Sequence, residues 1–238
     1  LVYGQLADFI VTTCASILPM IAQQSGKSLA LCRSIATGVD PNQINVSSGE
    51  PEAFRRQWRL QPDDFLVGTA CFMRSWKGID DLLKAADLLR DIPNLKWIVI
   101  GGGHAERHHQ FAKTLKLSNV VFTGHLDHPF PAIAALDVFA LLSTAHEGVS
   151  QAILQAAYLG KPLISTRTGG LGEVCIDEQT GFNVSPFAPT EVAQKVMQLK
   201  ESGPLRQMLG EKAHRLVLEQ FTFSHTLDHM EEVYQRVL

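Results

Sequence analysis

The sequence lacks a long uninterrupted apolar run, and it carries almost no excess of charge of either sign. No stretch approaches the roughly 18 apolar residues of a membrane-spanning helix, so we expect no such helix in this sequence. The 21 basic and 24 acidic residues leave a net charge of −3 at pH 7. Composition therefore gives no argument for an anionic membrane as the main partner, and we expect no nucleic-acid partner.

Cysteine is scarce, and its spacing argues against the sites that cysteine usually builds. Cys14, Cys32, Cys71 and Cys175 lie too far apart for a zinc knuckle or a redox dithiol. We interpret them as buried thiols in a reducing compartment, which favours a cytoplasmic location.

Histidine offers only an incomplete metal site. His104 and His108 lie four residues apart on an expected helix beside His109, but no acidic or sulfur ligand completes the set. A solvated helix face is the better interpretation, and we expect no metal. His125 and His128, near strand ends, are better candidates for contact with phosphate or sugar.

What the sequence does contain is a regular alternation of apolar runs and helical patterns from Phe65 onward. Apolar runs such as 65–71, 95–100 and 138–142 predict strands, and amphipathic patterns such as 79–89 predict helices between them. Strands that alternate with helices join through right-handed crossovers into a parallel sheet. We therefore predict an α/β fold over residues 65–238, a Rossmann-like doubly wound parallel sheet with helices on both faces.

The first 64 residues do not make a domain of their own. Residues 1–45 predict a short helix ending near Ala7, a strand, a helix over 17–25 capped by Ser16, and a second strand over 29–35, too little to cover a parallel sheet. Residues 46–64 are turn-rich and predict a linker around a helix over 52–60. The chain also starts at Leu1 rather than Met, so we expect a fragment.

A cationic turn, Arg74-Ser75-Trp76-Lys77-Gly78, directly follows the first strand of the main domain. The free N–H groups and dipole of a helix N-terminus favour an anion, and Arg and Lys add a planar fork and a point charge. The turn therefore indicates phosphate binding, although solvated loop charges explain it equally well. Gly101-Gly102-Gly103 lacks the full dinucleotide-binding pattern, and a tight turn is its better interpretation.

The stretch 146–174 places two glycine-bearing turns on the sheet edge where open α/β folds bind ligands. Glu147-Gly148 opens a helical pattern in which Gln155 lies eight positions on, two turns along the helix. We expect both side chains to reach one elongated ligand. At Gly169-Gly170, close backbone approach to a ligand and a plain tight turn are equally good explanations.

The order of these motifs resembles the donor-binding half of GT-B glycosyltransferases, in particular the large retaining family 4. The matching segments are Arg74…Lys77-Gly78, Val99–Gly103, Phe122–His125, Glu147-Gly148, Gly160-Lys161-Pro162, Gly169–Glu173 and Thr180-Gly181-Phe182. The resemblance covers residues 65–238. Residues 1–45 resemble the C-terminal remnant of the acceptor domain, and the final helix with Tyr234 resembles the helix that closes the fold.

The resemblance implies retaining transfer of a sugar from a nucleotide-diphosphate sugar to a glycan or lipid-linked acceptor, in bacterial surface glycan or lipopolysaccharide synthesis. The expected catalytic residues are Arg74 and Lys77, which would neutralise the departing diphosphate, and Glu147, which would bind sugar hydroxyls. No cofactor or metal is expected, because cations and helix dipoles stabilise the leaving group. The expected donor-binding residues are Gly102, His125, Gly148, Val149, Ser150, Gln155, Gly169 and Gly170.

Three features depart from the family pattern. Gln155 stands where the family has a second glutamate that grips the ribose; an amide accepts a hydrogen bond but lacks the charge. Phe72 occupies the place of the family's arginine, five residues before Lys77, so Arg74 is displaced. Most of the acceptor domain is absent, and with it any peripheral contact with the inner face of the membrane. We expect a hexosyltransferase-like enzyme whose isolated chain binds donor without completing transfer; the alternatives are a non-catalytic nucleotide-sugar-binding module and a nucleotide-sugar 2-epimerase.

Overall fold

The structure, a computed structural model, describes residues 7–238, so most of the helix expected to end near Ala7 lies outside the described residues. The strands are β1 (Ile10–Thr12), β2 (Cys32–Ser34), β3 (Phe65–Ala70), β4 (Leu95–Ile100), β5 (Val120–Gly124), β6 (Val138–Leu141), β7 (Leu163–Ser165) and β8 (Gly181–Asn183). The α-helices are α1 (Leu18–Ser25), α2 (Glu50–Gln57), α3 (Ile79–Leu88), α4 (Ala105–Thr114), α5 (Phe130–Ala134), α6 (Gln151–Tyr158), α7 (Pro189–Glu201), α8 (Gly203–Gln220) and α9 (Phe223–Val237). Among the helices of residues 7–238, none combines the length and apolar character needed to cross a membrane.

The main sheet has six parallel strands in the order β5-β4-β3-β6-β7-β8. The chain moves outward from β3 to β5 and then returns to place β6 on the other side of β3. The strand order therefore reverses between β3 and β6, and a crevice opens where their carboxyl ends diverge. The predicted doubly wound parallel sheet is confirmed.

Both faces of this sheet are covered, which explains the nearly continuous apolar runs of its strands. Every residue of β3 is buried. Leu66 packs in one apolar core with Ile98 and Phe139, while Val67 faces a second core on the opposite side of the sheet. Full burial of such a side chain contributes about 1.5–3 kcal/mol, so these two cores fix the sheet and the positions of its edges.

The last helix returns to the first 40 residues. β1 and β2 form a separate two-stranded parallel sheet. The amide of Val39 donates to the Phe221 carbonyl at 2.8 Å, and its carbonyl accepts from the Phe223 amide at 2.7 Å. Arg33 and Glu232 form an ion pair at 2.5 Å. Hydrogen bonds and an ion pair therefore join residues 33–39 to residues 221–232.

Residues 46–64, expected to be a linker, carry a helix that packs on the main domain. Phe54 of α2 is buried in the same core as Ile133 of α5, and Arg55 donates to the Ala135 carbonyl at 2.9 Å. The helix begins at Glu50, two residues earlier than predicted. Its carboxylate accepts from the Ser47 amide at 2.6 Å, and Pro51 occupies the first turn, which together favour this start.

Two predictions for the first 45 residues are wrong. Ser16 does not cap the first helix, because a 3-10 turn over Ala15–Ile17 leads directly into α1, which carries a proline in its first turn. The strand predicted from Leu29 begins only at Cys32. The preceding residues form another 3-10 turn in which the Ser28 hydroxyl accepts from the Ala30 amide at 3.2 Å.

Candidate functional site

The cationic turn and the loop that follows β6 touch at the point where the strand order reverses. The Thr144 amide donates to the Trp76 carbonyl at 2.8 Å. Gly78 has φ +70°, and a Cβ there would lie 2.1 Å from the Leu142 carbonyl oxygen. Only glycine fits this combination of backbone angle and contact. Gly78 therefore both starts α3 and brings the two loops together.

Lys77 and Glu147 meet at this junction. The Lys77 Nζ forms an ion pair with Glu147 Oε1, and the side chains are 17% and 5% exposed. Two opposite charges so far removed from water depend on each other, because either one alone would be costly to bury. The structure therefore unites two of the three residues predicted to be catalytic.

The expected placement of Glu147 on a helix with Gln155 is wrong. Helix α6 begins at Gln151, and Ser150 is its N-cap residue in an extended conformation. Glu147 lies in the preceding loop, where His146 adopts the left-handed region at φ +55°. Gln155 lies one turn into the helix, so helical periodicity does not relate it to Glu147.

Contacts from distant segments hold this loop outside the helix. The Val149 amide donates to the Thr13 carbonyl at 3.3 Å, so in this structure it is engaged by the protein itself. A Cβ on Gly148 would come within 2.5 Å of the Thr13 hydroxyl. The segment after β1 is therefore part of the wall of the site, a contact that the sequence did not reveal.

The second glycine turn packs against the same loop. Gly169 has φ +57°, and a Cβ there would lie 1.7 Å from the Glu147 carbonyl oxygen. A Cβ on Gly170 would come within 2.8 Å of atoms of Val149 and Cys14. Close contact with the protein itself explains both glycines. The sequence had suggested either close approach to a ligand or a plain tight turn.

Glu173, at the end of this turn, links the main domain to the segment after β1. Its Oε1 accepts from the Ala15 amide at 2.8 Å. Burial raises the pKa of the Glu173 carboxyl, and the hydrogen bond from Ala15 lowers it in part. This contact is therefore sensitive to the charge on the carboxyl group.

A cavity of about 310 Å³ lies at the ends of β3 and β4. Cys71 in its wall is close enough to the ion pair for the charges of Lys77 and Glu147 to act on its thiol. Three predicted donor-binding residues, Gly102, His125 and Gln155, line it together. His125 is largely exposed and lies 3.3 Å from Asp127. The sequence analysis missed several of the lining residues, namely Cys71, Phe72, Leu126, Pro129 and Gln151.

Cys71 corrects the expectation that all four thiols are buried. Cys14, Cys32 and Cys175 are buried, but Cys71 is partly exposed to the cavity; all four are free. Desolvation raises the pKa of the Cys71 thiol to about 11, against the lowering effect of Lys77. The sequence could have indicated that Cys71 belongs to the site, because Cys71 directly follows β3 and ligands bind at the carboxyl ends of parallel strands.

Arg74, the third predicted catalytic residue, is exposed and lies between two aromatic rings. Its guanidinium carbon is 4.9 Å from the centre of the Phe72 ring and 5.7 Å from that of Trp76. Trp76 in turn contacts His146 edge-on at 5.2 Å. Cation–π attraction at such sites is worth roughly 0.5–1 kcal/mol, so the rings hold the displaced guanidinium beside the turn.

The predicted solvated histidine face is only partly right. His104 is exposed, but His108 is buried and its Nδ1 lies 2.9 Å from Asp80 Oδ1. His109 stacks on Phe122 at 4.2 Å. Within residues 7–238, no three metal-ligating side chains converge.

Comparison with known proteins places this chain in a family. The model of the family "Glycosyl transferases group 1" matches residues 50–216, well over half of the chain. The chain belongs to this family. This match confirms the prediction that the chain is the C-terminal domain of a GT-B glycosyltransferase.

Named relatives of the family support this assignment. An uncharacterized glycosyltransferase of Methanocaldococcus jannaschii is 25% identical over 98% of the chain and 59% of its own length. A lipopolysaccharide core biosynthesis glycosyltransferase of Rhizobium meliloti is 30% identical over 61% of the chain and 42% of its own length. The chain thus spans about half the length of these relatives.

A solved structure supports the fold. The Anabaena protein HepE in complex with UDP and glucose superposes with a TM-score of 0.88 at 23% identity, covering 96% of this chain and 63% of that protein. The likeness concerns the GT-B domain architecture, including the six-stranded parallel sheet.

Proposed function

We propose that this chain is the donor-binding half of a retaining family 4 glycosyltransferase that uses a nucleotide-diphosphate sugar. The observation that carries the proposal is the Lys77–Glu147 ion pair, set beside a cavity at the point where the strand order reverses. The nucleoside would occupy the cavity of Gly102, His125 and Gln155. The diphosphate would lie at the N-terminus of α3, and the sugar at Glu147.

The pair has the chemistry that such a donor needs. When the diphosphate binds, its oxygens replace Glu147 as the acceptors of hydrogen bonds from the Lys77 ammonium. Sugar hydroxyls then donate hydrogen bonds to the released Glu147 carboxylate. In the transfer step the bond between the sugar C1 and the diphosphate oxygen breaks, and C1 bonds to an acceptor hydroxyl oxygen. The proton of that hydroxyl passes to the oxygen of the leaving diphosphate. Negative charge grows on the leaving diphosphate, where Lys77, Arg74 and the α3 dipole stabilise it.

This mechanism uses protein cations where other transferases use a metal, and we propose that no metal or other cofactor is required. The reaction retains configuration at C1. The acceptor is a glycan or a lipid-linked glycan of a bacterial surface polymer such as lipopolysaccharide, and its pocket belongs to the part of the relatives that this chain does not span. We further propose a cytoplasmic location, with any membrane contact made through that other part.

Isothermal titration of the chain with nucleoside diphosphates and nucleotide-sugars tests the proposal. Lys77→Met should weaken binding of the preferred ligand at least tenfold, because one charge-assisted contact contributes about 1.5–3 kcal/mol. Lys113→Met, which removes an exposed lysine on α4, is the matched control and should bind normally. Absence of binding to every ligand at millimolar concentration would refute the proposal.

Gln155 favours a second candidate, a nucleotide-sugar-binding module without catalysis, since it leaves the cavity without the expected second carboxylate. Three assays separate the transferase, the binding module and the epimerase: donor hydrolysis, sugar transfer and epimerisation. Each is run on the chain alone and on the chain combined with the proposed acceptor domain. Release of nucleoside diphosphate by the reconstituted protein supports the transferase. Binding with no chemistry in the reconstituted protein supports the module.

A further inference from the structure

Phe72 is an exposed aromatic side chain in the wall of the cavity assigned to the nucleoside. It is 58% exposed, whereas the next residue along the chain, Met73, is completely buried. The family pattern has an arginine at this position, and a benzyl group cannot form the charged contact with phosphate that a guanidinium can. The exposed ring therefore needs an explanation of its own. Apolar surface gains free energy when it is removed from water, so a flat ligand that covers the ring would bind more tightly for doing so.

The backbone fixes the direction in which Phe72 points. The Met73 amide donates to the Gly102 carbonyl at 2.7 Å, and the Met73 carbonyl accepts from the His104 amide at 3.1 Å. These bonds continue the pairing of β3 with β4 beyond the ends of the two strands, as a bridge between Met73 and Gly103. Successive side chains of an extended backbone point to opposite sides. Because Met73 enters the core, Phe72 points away from the core and toward the cavity.

Neighbouring groups hold the ring in place. Gly103 has φ +106°, and a Cβ there would lie 2.9 Å from both Phe72 Cε1 and the Met73 carbonyl oxygen, so glycine allows the backbone to pass close to the ring. The Arg74 guanidinium carbon lies 4.9 Å from the centre of the ring. The His104 ring is nearly perpendicular to it, with 6.4 Å between the ring centres. The ring is therefore preorganised, and a ligand that stacks on it orders little of the protein.

The rest of the wall favours a nucleobase over a diphosphate or a sugar. Among residues 7–238, no lysine or arginine lines this cavity. A diphosphate needs cations, and a sugar needs many hydrogen-bonding partners. A nucleobase instead offers a flat face that stacks on an aromatic ring. The apolar side chains beside Phe72 are those of Ala70, Leu126, Pro129 and Ala152.

We propose that the nucleobase of the donor stacks on Phe72, an inference that rests on the proposed nucleotide-binding function. Every base has a π-face, so stacking contributes affinity whichever base the donor carries. The polar groups of the wall, on His125, Gln151 and Gln155, remain for the ribose and for the edge of the base. The position that departs from the family pattern thereby becomes a contact for the base in place of a contact for phosphate.

Isothermal titration with UDP, GDP, ADP and CDP identifies the preferred nucleoside diphosphate and then tests the contact. Phe72→Leu should weaken its binding at least about fivefold, because leucine keeps the apolar bulk but lacks a flat π-face. Phe72→Tyr keeps the ring and should retain the affinity. Phe223→Leu, which changes an exposed phenylalanine on α9 outside the cavity, is the matched control and should bind normally.

The same titration in an Arg74→Ala background separates stacking from an indirect effect, since the Arg74 guanidinium also lies over the ring. Phe72→Leu should weaken binding there by about the same factor. A loss that occurs only when Arg74 is present would mean that the ring acts by holding the guanidinium, and it would overturn the inference.

Phe72 is exposed, so its replacement should leave the melting temperature nearly unchanged, which circular dichroism checks. If Phe72→Leu binds the nucleoside diphosphate as tightly as the unmodified chain does, the base does not stack on Phe72 and the donor function stands. If Phe72→Tyr binds as weakly as Phe72→Leu, the stacking contact is also refuted. If the unmodified chain binds no nucleoside diphosphate or nucleotide-sugar at millimolar concentration, the proposed function fails and this inference fails with it.

Discussion

Lys77 and Glu147, 70 residues apart in the chain, form an ion pair where the strand order of the main sheet reverses. The Glu147 carboxylate is almost completely removed from water, and its backbone carbonyl lies against Gly169. The pair therefore serves the fold as well as the proposed chemistry, and a single substitution disturbs both.

Replacing one partner of the pair should cost more stability than replacing both. Lys77→Met leaves a buried carboxylate without its cation, and we expect a loss of about 2–3 kcal/mol, below the 3–5 kcal/mol typical of fully buried pairs because Lys77 is partly exposed. Lys77→Met combined with Glu147→Gln should recover most of that loss. Urea unfolding of the four proteins of the cycle measures the coupling.

Nucleotide binding separates the structural role of the pair from the functional one. We expect the double variant to bind the donor as poorly as Lys77→Met does, although its stability recovers. Strictly additive stability losses would show that the pair is not coupled in solution. Restored nucleotide affinity in the double variant would remove Lys77 from the diphosphate site.

The sequence predicted the sheet well because its signals are local. The apolar run 95–100 became β4 at the expected bounds, and the run 138–142 became β6, which ends one residue earlier. Glu147 was misplaced because the apolar pattern of α6 gives no sign of where the helix begins. Its start depends on Thr13, more than 130 residues earlier, which binds the preceding loop.

The candidate site was predictable residue by residue but not as an arrangement. Lys77, Glu147 and Gln155 were each named from the sequence, yet the ion pair and the cavity arise from contacts between loops after different strands. Arg74 shows the same limit. Its displacement from the family position was visible, while its place between the Phe72 and Trp76 rings was not.

Gly169→Ala should disrupt the loop that carries Glu147. The left-handed backbone alone costs a non-glycine residue about 1–2 kcal/mol, and here the added Cβ would also collide with the Glu147 carbonyl. Gly26→Ala is the matched control, since Gly26 has φ +68° and open space around it. Thermal unfolding should show a clearly larger loss for Gly169→Ala. Equal losses would mean that the contact with Glu147 is absent in solution.

Arg74→Ala should lower nucleotide affinity about tenfold while leaving stability within about 0.5 kcal/mol, as is usual for an exposed position. Arg74→Lys should restore the affinity only in part, because an ammonium lacks the planar fork of a guanidinium. Titration calorimetry and urea unfolding measure the two effects. Full affinity in Arg74→Ala would show that the displaced arginine does not reach the diphosphate.

Glu173 and Glu232 should make opposite contributions to the pH dependence of stability. The pKa of Glu173 is raised, mainly by burial. Its contribution to the free energy of unfolding is therefore present below about pH 4.3, the ordinary pKa of the carboxyl. That contribution is lost as pH rises through the raised pKa. The pKa of Glu232 is lowered by Arg33, so its contribution is present at neutral pH and is lost as pH falls through the lowered value.

The corresponding variants test these signs. From pH 4 to pH 7, Glu173→Gln should gain stability relative to the unmodified chain, and the amide oxygen of that variant can still accept the hydrogen bond from Ala15. Across the acid range, Glu232→Gln should show the opposite slope. Melting temperatures at half-unit intervals of pH measure both, and parallel profiles for the two variants would contradict the assignment.

Gln155→Glu tests whether this position still reaches the ribose. Gln155 lines the cavity assigned to the nucleoside, and a carboxylate accepts a hydroxyl hydrogen bond about twice as strongly as a neutral amide does. We expect the preferred nucleoside diphosphate to bind roughly fivefold to tenfold more tightly to the variant, as one charge-assisted bond contributes about 1 kcal/mol more than a neutral one. The matched control is the 2′,3′-dideoxy form of the same nucleotide, which lacks the hydroxyls and should bind both proteins equally. A gain that is the same for both nucleotides, or no gain for either, would place the ribose elsewhere in the cavity.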